Sequence, residues 1–155
     1  HTYQRPLYHH IRNIVLNHDD TDDVLQNTFI KVFQNLKNFK GESKLFSWMY
    51  RIATNESLTF IKQKAKKNNT STEEINAKII DNLQSDVFFD GNEIQIKLQK
   101  AIALLPTKQQ LVFKMKYFEE LKYEEIATIL DTSVGALKAS YHHAVKKIEA
   151  YVTSN

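Results

Sequence analysis

The chain has 155 residues, of which 42% are hydrophobic and 25% charged, and its formal net charge is +3. This composition is typical of one medium or two small globular domains and excludes a chain that is disordered throughout. With no cysteine, disulfides, thiolate metal sites and catalytic cysteine chemistry are excluded. The longest apolar run, AIALL at residues 101–105, is too short to span a bilayer, and no signal peptide opens the chain. We expect a soluble protein without membrane insertion.

Residues that break helices are rare, with only three glycines and two prolines. Long helical segments can therefore continue unbroken, and we expect an all-α protein. Basic and acidic residues number 11 and 6 over residues 1–67, 2 and 6 over residues 68–98, and 8 and 6 over residues 99–155. The acidic middle opens with the polar stretch KKNNTSTEE, which is typical of a linker. We predict two small helical domains, 1–67 and 93–155, joined by a flexible linker at 68–92. Because the first residue is His1 rather than Met, we expect the natural chain to begin upstream.

The first strongly patterned helix is predicted to begin near Thr21. Asp22 and Asp23 would lie in its first turn, where the helix dipole favours acids. Apolar residues then recur at helical spacing, and we expect that stripe to face the core. The stripe consists of Leu25, Phe29, Val32, Phe33 and Leu36.

A second helix follows a loop marked by Gly41 and carries two different stripes. The first is apolar, is predicted to be core, and consists of Met49, Ile52, Ala53 and Phe60. The other contains Lys44, Trp48, Arg51, Asn55, Thr59, Lys62 and Lys66. Cations neutralise phosphates, an amide reads base edges, and an aromatic ring accepts an unstacked base. We therefore favour nucleic-acid binding for this stripe over a merely solvated helix face.

Two helical patterns stand back to back in YEEIATILDTSVGALKASYH, residues 123–142. Glu124 and Glu125 occupy the first turn of the first helix, and Ser133 is placed to cap the second. Between them, Asp131 tolerates the left-handed conformation that a tight turn needs. This arrangement is typical of a helix-turn-helix.

The second of these helices has a face that is small near its start and basic further on. Small residues permit close approach to a DNA major groove, while lysine and histidine reach phosphates and base edges. The face consists of Ala136, Lys138, Ala139, His142, His143 and Lys146. The alternative is the solvated face of a helical bundle.

The pairing of DDVLQNTFIKVFQNLKNFKGESKLFSWMYRIATN with YEEIATILDTSVGALKASYHHAVKKI resembles the extracytoplasmic-function (ECF) family of bacterial RNA polymerase sigma factors. With the intervening ALLPTKQQLVFKMKYFEEL, the resemblance covers nearly all of the chain except the linker. It implies a promoter-specificity subunit that binds core RNA polymerase and has no catalytic activity or cofactor of its own. In that family the first domain melts the promoter and reads the −10 element, and the helix-turn-helix domain reads the −35 element.

The resemblance, carried over by position, and the helix faces and cap described above together give three sets of candidate site residues. The set that grips the clamp of the polymerase β′ subunit is Asp23, Gln26 and Asn27. The −10 set is Lys40, Gly41, Ser43, Lys44, Phe46, Trp48, Arg51, Asn55 and Lys62. Of these, Asn55 lines the pocket for a flipped base. The −35 set is Ser133, Ala136, Lys138, Ala139, His142, His143 and Lys146.

The resemblance also implies partners and a location. The partners are core RNA polymerase, contacted through its β′ clamp and β flap, promoter DNA, and an anti-sigma factor. The location is the cytoplasm, associated with the nucleoid when bound to polymerase. No small-molecule substrate or metal is implied. Five residues depart from the family pattern. Lys122 replaces the usual capping serine of the first motif helix, and Asp131 replaces a frequent glycine. Asn27 stands where an acid is usual, and Ser140 and His143 stand where arginine is common, which implies weaker phosphate contacts at the −35 element.

Other classes of protein were weighed. The neighbouring pairs His9 and His10, His18 and Asp19, and His142 and His143 raise the possibility of a metal-dependent hydrolase. Adjacent helical residues point about 100° apart and rarely share a metal, and no HExxH motif or glycine-rich phosphate loop is present. The stronger alternatives are a two-domain helix-turn-helix regulator that binds DNA without polymerase, and a structural helical adaptor. Binding to core polymerase would distinguish a sigma factor from both.

Overall fold

The computed structural model describes residues 3–41, 44–82 and 92–154, which form eight α-helices and no strand. The helices are α1 (Gln4–Val15), α2 (His18–Asn35), α3 (Leu45–Lys67), α4 (Thr72–Asp81), α5 (Glu93–Ala103), α6 (Thr107–Phe113), α7 (Tyr123–Leu130) and α8 (Val134–Thr153). A 3-10 turn at Leu36–Asn38 continues α2, and a π-helical turn at Lys114–Phe118 continues α6. The all-α prediction is confirmed.

Helices α1, α2 and α3 pack against one another and form the first part of the core. Leu7 and Ile11 of α1, Val24 of α2, and Met49 and Ala53 of α3 are almost completely buried. The apolar stripe predicted for α3 is thus confirmed as core at Met49 and Ala53, whereas Ile52 and Phe60 are half-buried against the same core. Because α3 packs against both other helices, its opposite face remains outside this core.

Helix α2 begins at His18, earlier than the predicted start near Thr21. The preceding Asn17 has extended backbone, and its side-chain oxygen accepts a hydrogen bond from the backbone N–H of Asp20 at 3.0 Å. A side chain in this position satisfies one of the free donors of the first turn. The prediction was wrong by one turn because this asparagine cap was overlooked.

The predicted core stripe of α2 is only partly buried. Leu25 and Val32 lie in the core, whereas Phe33 is 73% exposed and Leu36 is 45% exposed. The core prediction was wrong for these last two residues. They line an open apolar groove, together with Leu45 and neighbouring residues, where no other described helix covers them.

Helix α4 lies inside the segment 68–92 that was predicted to be a flexible linker. The Ser71 side-chain oxygen caps it by accepting the backbone N–H of Glu74 at 3.1 Å. Ile75 and Ile80 are buried where α4 packs on α3 and α5. The sequence analysis missed this helix, and residues 83–91 lie outside the described residues. The domain boundaries therefore stay a prediction.

The two halves of the chain share one core. Met115, Ile126 and Leu137 of the second half are 1% exposed or less, and they belong to the same buried cluster as Leu7 and Ile11 of α1. Helix α7 packs directly on α3. The structure is therefore a closed arrangement in which the predicted domains are in contact.

Candidate nucleic-acid and polymerase interfaces

Helices α7 and α8 form the predicted helix-turn-helix. Asp131 ends α7 in the left-handed conformation, with φ 53° and ψ 53°. The Ser133 side-chain oxygen accepts the backbone N–H of Ala136 at 3.2 Å and so caps α8. Both sequence predictions for this turn are confirmed.

The missing serine cap of α7 is replaced by a different contact. The Glu125 carboxylate accepts the backbone N–H of Lys122 at 3.0 Å. This is the glutamate half of a capping box, in which the third helical residue reaches back to the capping residue. The departure at Lys122 therefore leaves the start of α7 hydrogen-bonded.

The outer face of α8 is exposed along the predicted −35 set. Its exposed members are Ser133, Ala136, Lys138, Ala139, His142, His143 and Lys146. The opposite side of the helix packs inward through Leu137 and Ala144, which are both 0% exposed. The Lys138 ammonium lies 5.8 Å from the ring centre of Tyr123, at the start of α7. A polar, basic face is thus available for a ligand.

The loop before α3 and the outer face of α3 hold the predicted −10 set. Gly41 has φ +73°, a backbone conformation that favours glycine, and Ser43 lies outside the described residues. Six side chains or backbone positions of the set are exposed: Lys40, Gly41, Lys44, Arg51, Asn55 and Lys62. This row has the cations and the amide that were predicted for it.

The two aromatic residues of the −10 set are half-buried. Trp48 packs its ring 5.0 Å from that of Phe39, measured between centroids. Phe46 stacks on Tyr50 at 4.2 Å, in contact with the shared core. Both rings are therefore part of the folded framework as well as neighbours of the exposed row.

The predicted polymerase set on α2, which consists of Asp23, Gln26 and Asn27, is exposed. Gln26 also lines the apolar groove that contains Phe29 and Phe33. The groove has a volume of about 730 Å³. The sequence analysis missed this groove, since the spacing of its aromatic residues is also that of an ordinary core stripe.

Two of the predicted faces approach each other. The Arg51 guanidinium on α3 lies 3.9 Å from the carboxylate of Asp131 in the helix-turn-helix turn. Both side chains are largely exposed, so this ion pair contributes little to stability. The ion pair does show that the turn before α8 lies beside the −10 row.

The histidines do not gather into a metal site. In the described part of the chain, no group of three or more His, Cys, Asp or Glu side chains is placed to hold a metal ion. His18 instead contacts the hydroxyl of Tyr8 and lies 3.4 Å from Asp22. None of the helices in the described ranges combines the length and apolar character of a membrane span.

His10 is completely buried at the junction of the two halves. Its Nδ1 lies 2.8 Å from one carboxylate oxygen of Glu119, and its Nε2 lies 2.7 Å from the hydroxyl of Thr54. The Thr54 hydroxyl in turn donates to the backbone carbonyl of Tyr50 at 2.7 Å. This network was not predicted, since in the sequence His10 stands out only as a possible metal ligand beside His9.

Lys114 crosses the same junction. Its ammonium donates to the backbone carbonyl of Asn13, one of the carbonyls that the end of α1 leaves without a helical partner. Burial lowers the pKa of Lys114 to about 8, and the nearby Glu119 carboxylate opposes this shift. Burial also raises the pKa of the Tyr50 hydroxyl, with smaller contributions from Glu119 and Glu125. The junction thus holds titratable groups whose protonation is linked to folding.

We expect the stability difference between Lys114→Met and the unchanged protein to depend on pH. The folded pKa of Lys114 is lower than the unfolded value of 10.5, so a charged Lys114 weakens the fold. This penalty is complete below the folded pKa and disappears as the pH rises toward the unfolded value. From about pH 7 to about pH 9.5, the unchanged protein should gain about 2 kcal/mol relative to the methionine variant.

Urea unfolding of both proteins across this pH range measures the difference. Groups other than Lys114, Tyr50 included, cancel in the comparison because both proteins carry them. If the difference in free energy of unfolding stays constant with pH, burial does not lower the pKa of Lys114.

Each half of the chain matches a known protein family. The Sigma-70 region 2 family matches residues 1–67, and the Sigma-70 region 4 family matches residues 95–148. The first match contains α1 to α3, and the second contains α5 to α8 except the first two residues of α5 and the last five of α8. Region 2 and region 4 in this order define the class of sigma factors.

The chain matches curated sigma factors over most of their length. The ECF RNA polymerase sigma-E factor of Haemophilus influenzae is 29% identical over 144 residues, covering 86% of this chain and 75% of the relative. The ECF sigma factor SigW of Bacillus subtilis is 28% identical over 149 residues, covering 90% and 79%. This chain belongs to the ECF family of sigma factors.

Solved structures show the same fold. The sigma factor RpoE of Bartonella quintana, in complex with the anti-sigma factor NepR, matches with a TM-score of 0.71 at 16% identity, covering 99% of this chain and 94% of that one. CnrH in complex with the cytosolic domain of CnrY matches with a TM-score of 0.71 at 18% identity, covering 99% and 84%. At these identities the likeness concerns the fold alone.

Family membership decides between the classes of function. The protein is a sigma factor that directs RNA polymerase to promoters, and the regulator without polymerase and the structural adaptor are no longer needed as explanations. Sigma factors are DNA-binding regulators rather than enzymes.

Proposed function

We propose that the exposed row on α3 holds melted −10 DNA and that α8 reads the −35 element. The observation that carries this proposal is the exposure of Arg51, Asn55 and Lys62 along one face of α3. Two cations beside an amide suit a single strand, whose phosphates need neutralising and whose base edges are free to be read. The exposed basic face of α8 supports the assignment of the −35 element.

We further propose that core polymerase binds at α2. Asp23, Gln26 and Asn27 supply polar contacts, and the adjoining groove at Phe29 and Phe33 supplies apolar area. An exposed apolar patch with a polar rim is typical of a protein interface. The partner surface would be the β′ clamp, with the β flap engaging the second domain.

An anti-sigma factor is the third proposed partner. The two solved structures described above are of sigma factors in complex with an anti-sigma factor or its cytosolic partner domain, and each covers 99% of this chain. That likeness supports a similar partner here, and work with polymerase and promoter DNA supports a cytoplasmic location. Capture experiments with the full chain as bait would identify this anti-sigma factor.

Run-off transcription with core polymerase on genomic fragments tests the function as a whole. We expect discrete transcripts that depend on this protein and begin downstream of a shared pair of −10 and −35 elements. Core polymerase alone should give none of them. Failure to produce any transcript, with a known sigma factor active on its own promoter in parallel, would contradict the proposed assignments.

Charge reversal at Asp23 should weaken binding to core polymerase. The Asp23 side chain is exposed, so Asp23→Lys leaves the core of the protein unchanged while it reverses the charge at the proposed interface. We expect the Kd measured with labelled protein and core polymerase to rise by about tenfold, equal to about 1.4 kcal/mol.

Glu149→Lys provides the matched control, because this acid is also exposed but lies near the end of α8. Its Kd should stay close to that of the unchanged protein. If both variants bind core polymerase with unchanged affinity, the α2 contact lies at other residues.

A further inference from the structure

We propose that a buried polar clasp holds this sigma factor in a closed state that cannot read a promoter. The clasp consists of His10, Thr54, Glu119, and the contact of Lys114 with the Asn13 carbonyl. Breaking it would be a required step when polymerase engages the chain. That the closed state cannot read a promoter rests on the proposed −10 and −35 faces, whereas the contacts of the clasp are independent of them.

Distance shows why the closed state is incompatible with promoter recognition. The −10 and −35 elements are about 25 base pairs apart, which corresponds to about 85 Å of B-form DNA. In the structure, Arg51 of the −10 row lies 3.9 Å from Asp131, which precedes the cap of α8 by two residues. One closed chain therefore cannot reach both elements. The 25 residues 68–92 can span about 66 Å with α4 still helical and about 85 Å if α4 unwinds, so the domains can separate widely once the closed state opens.

The clasp joins groups that are far apart in sequence and belong to different domains. His10 and Thr54 lie in the first family match, and Glu119 lies in the second. The Thr54 hydroxyl donates to the Tyr50 carbonyl, so its oxygen is left to accept a hydrogen bond from His10 Nε2. The Glu119 carboxylate accepts from His10 Nδ1. Both ring nitrogens of His10 therefore have partners in the closed arrangement.

Burial makes this network specific to the closed arrangement. His10 is fully buried, and the Glu119 side chain is 9% exposed. A buried charge without its partner is costly, so the network is satisfied only when these three residues meet. The apolar cluster around it stabilises contact between the domains in general, whereas the clasp favours this one alignment. Its strength therefore sets how often the chain opens.

Polymerase would bind in proportion to the open fraction. A ligand that binds one state of a two-state protein has an apparent Kd that is raised by the scarcity of that state. Loosening the clasp should then tighten polymerase binding, which is opposite to the effect of removing a direct contact. The direction of the change in apparent Kd therefore distinguishes a residue of the clasp from a residue that contacts polymerase directly.

Glu119→Gln is the primary variant, because it keeps the shape of the side chain and removes the charge. Glu120→Gln is the control, since it changes the neighbouring exposed acid. The chain has no cysteine, so Gln34→Cys on α2 and Glu149→Cys on α8 give two unique label sites at exposed positions. Pulsed electron resonance measures the distance between spin labels there, and a binding titration measures the apparent Kd for core polymerase.

We expect Glu119→Gln to raise the ratio of open to closed chains by about tenfold or more, and to lower the apparent Kd by a similar factor. Thr54→Val, on the opposite side of the junction, should shift both quantities in the same direction. Label distances and polymerase affinities that match those of Glu120→Gln would overturn the clasp. If the unchanged protein fails to bind polymerase, the proposed polymerase face is wrong, and the label distances still decide the clasp.

Discussion

Replacing Leu137 by alanine should lower the free energy of unfolding by about 3 kcal/mol or more and abolish recognition of the −35 element. Leu137 is 0% exposed and belongs to the core that the two halves of the chain share. Leucine-to-alanine changes in such sites cost about 3 to 5 kcal/mol, because both transfer energy and cavity formation act. The same side chain fixes α8 against its neighbours, so its loss should displace the reading face. Urea unfolding and footprinting of the holoenzyme measure the two effects.

The adjacent Lys138→Ala is the matched variant, since Lys138 lies on the exposed face of the same helix. Its stability should stay nearly unchanged. Its footprint over the −35 element should weaken, by about 1–3 kcal/mol where the lysine contacts a base, or with a shallower salt dependence where it contacts phosphate. An unchanged footprint for Lys138→Ala would remove this residue from the −35 face. An unchanged unfolding curve for Leu137→Ala would contradict the packing of the shared core.

Asn55→Ala should reduce promoter opening by about tenfold and change which base is preferred in the −10 element. Holding a base outside the stack costs a few kcal/mol, and one good base-edge contact returns about 1–3 kcal/mol of it. Asn55 offers both donors and an acceptor on an exposed face of α3, between Arg51 and Lys62. Permanganate reactivity of promoter thymines reports the melted fraction directly.

Gln63→Ala serves as the control for this experiment, because Gln63 is an exposed amide two turns further along α3. Core binding and −35 protection should be normal in both variants. Should Asn55→Ala melt every promoter to the normal extent and with the normal base preference, Asn55 would be a solvated helix residue.

Local features were predictable because they depend on neighbouring residues. Ser133 and Asp131 specify the turn before α8 through a cap and a left-handed residue, and both occur as expected. The face of α8 was predicted from spacing alone, since alternate sides of a helix separate at 3.6 residues per turn. Leu137 and Lys138 show the separation most clearly, with one buried and its neighbour exposed.

Features that depend on distant partners were not predictable in this way. Phe33 has the spacing of a core residue, but whether another helix covers it is not encoded nearby. Helix α4 was overlooked because it is short and begins with the polar residues of the predicted linker, so that Ile75, Ile79 and Ile80 are its only large apolar residues. The contact of His10 with Glu119 joins residues 109 positions apart, which leaves no periodic trace in the sequence.

Helix α4 also determines how far the connector, residues 68–92, can lengthen. Its ten residues span about 15 Å as a helix and about 33 Å when extended. The difference of about 18 Å equals the rise of about five base pairs of DNA. The side-chain oxygen of Asn76 is buried in α4 without a hydrogen-bond partner among the described residues, which lowers the cost of unwinding this helix. Unwinding α4 would let one chain serve promoters whose spacers differ in length by several base pairs.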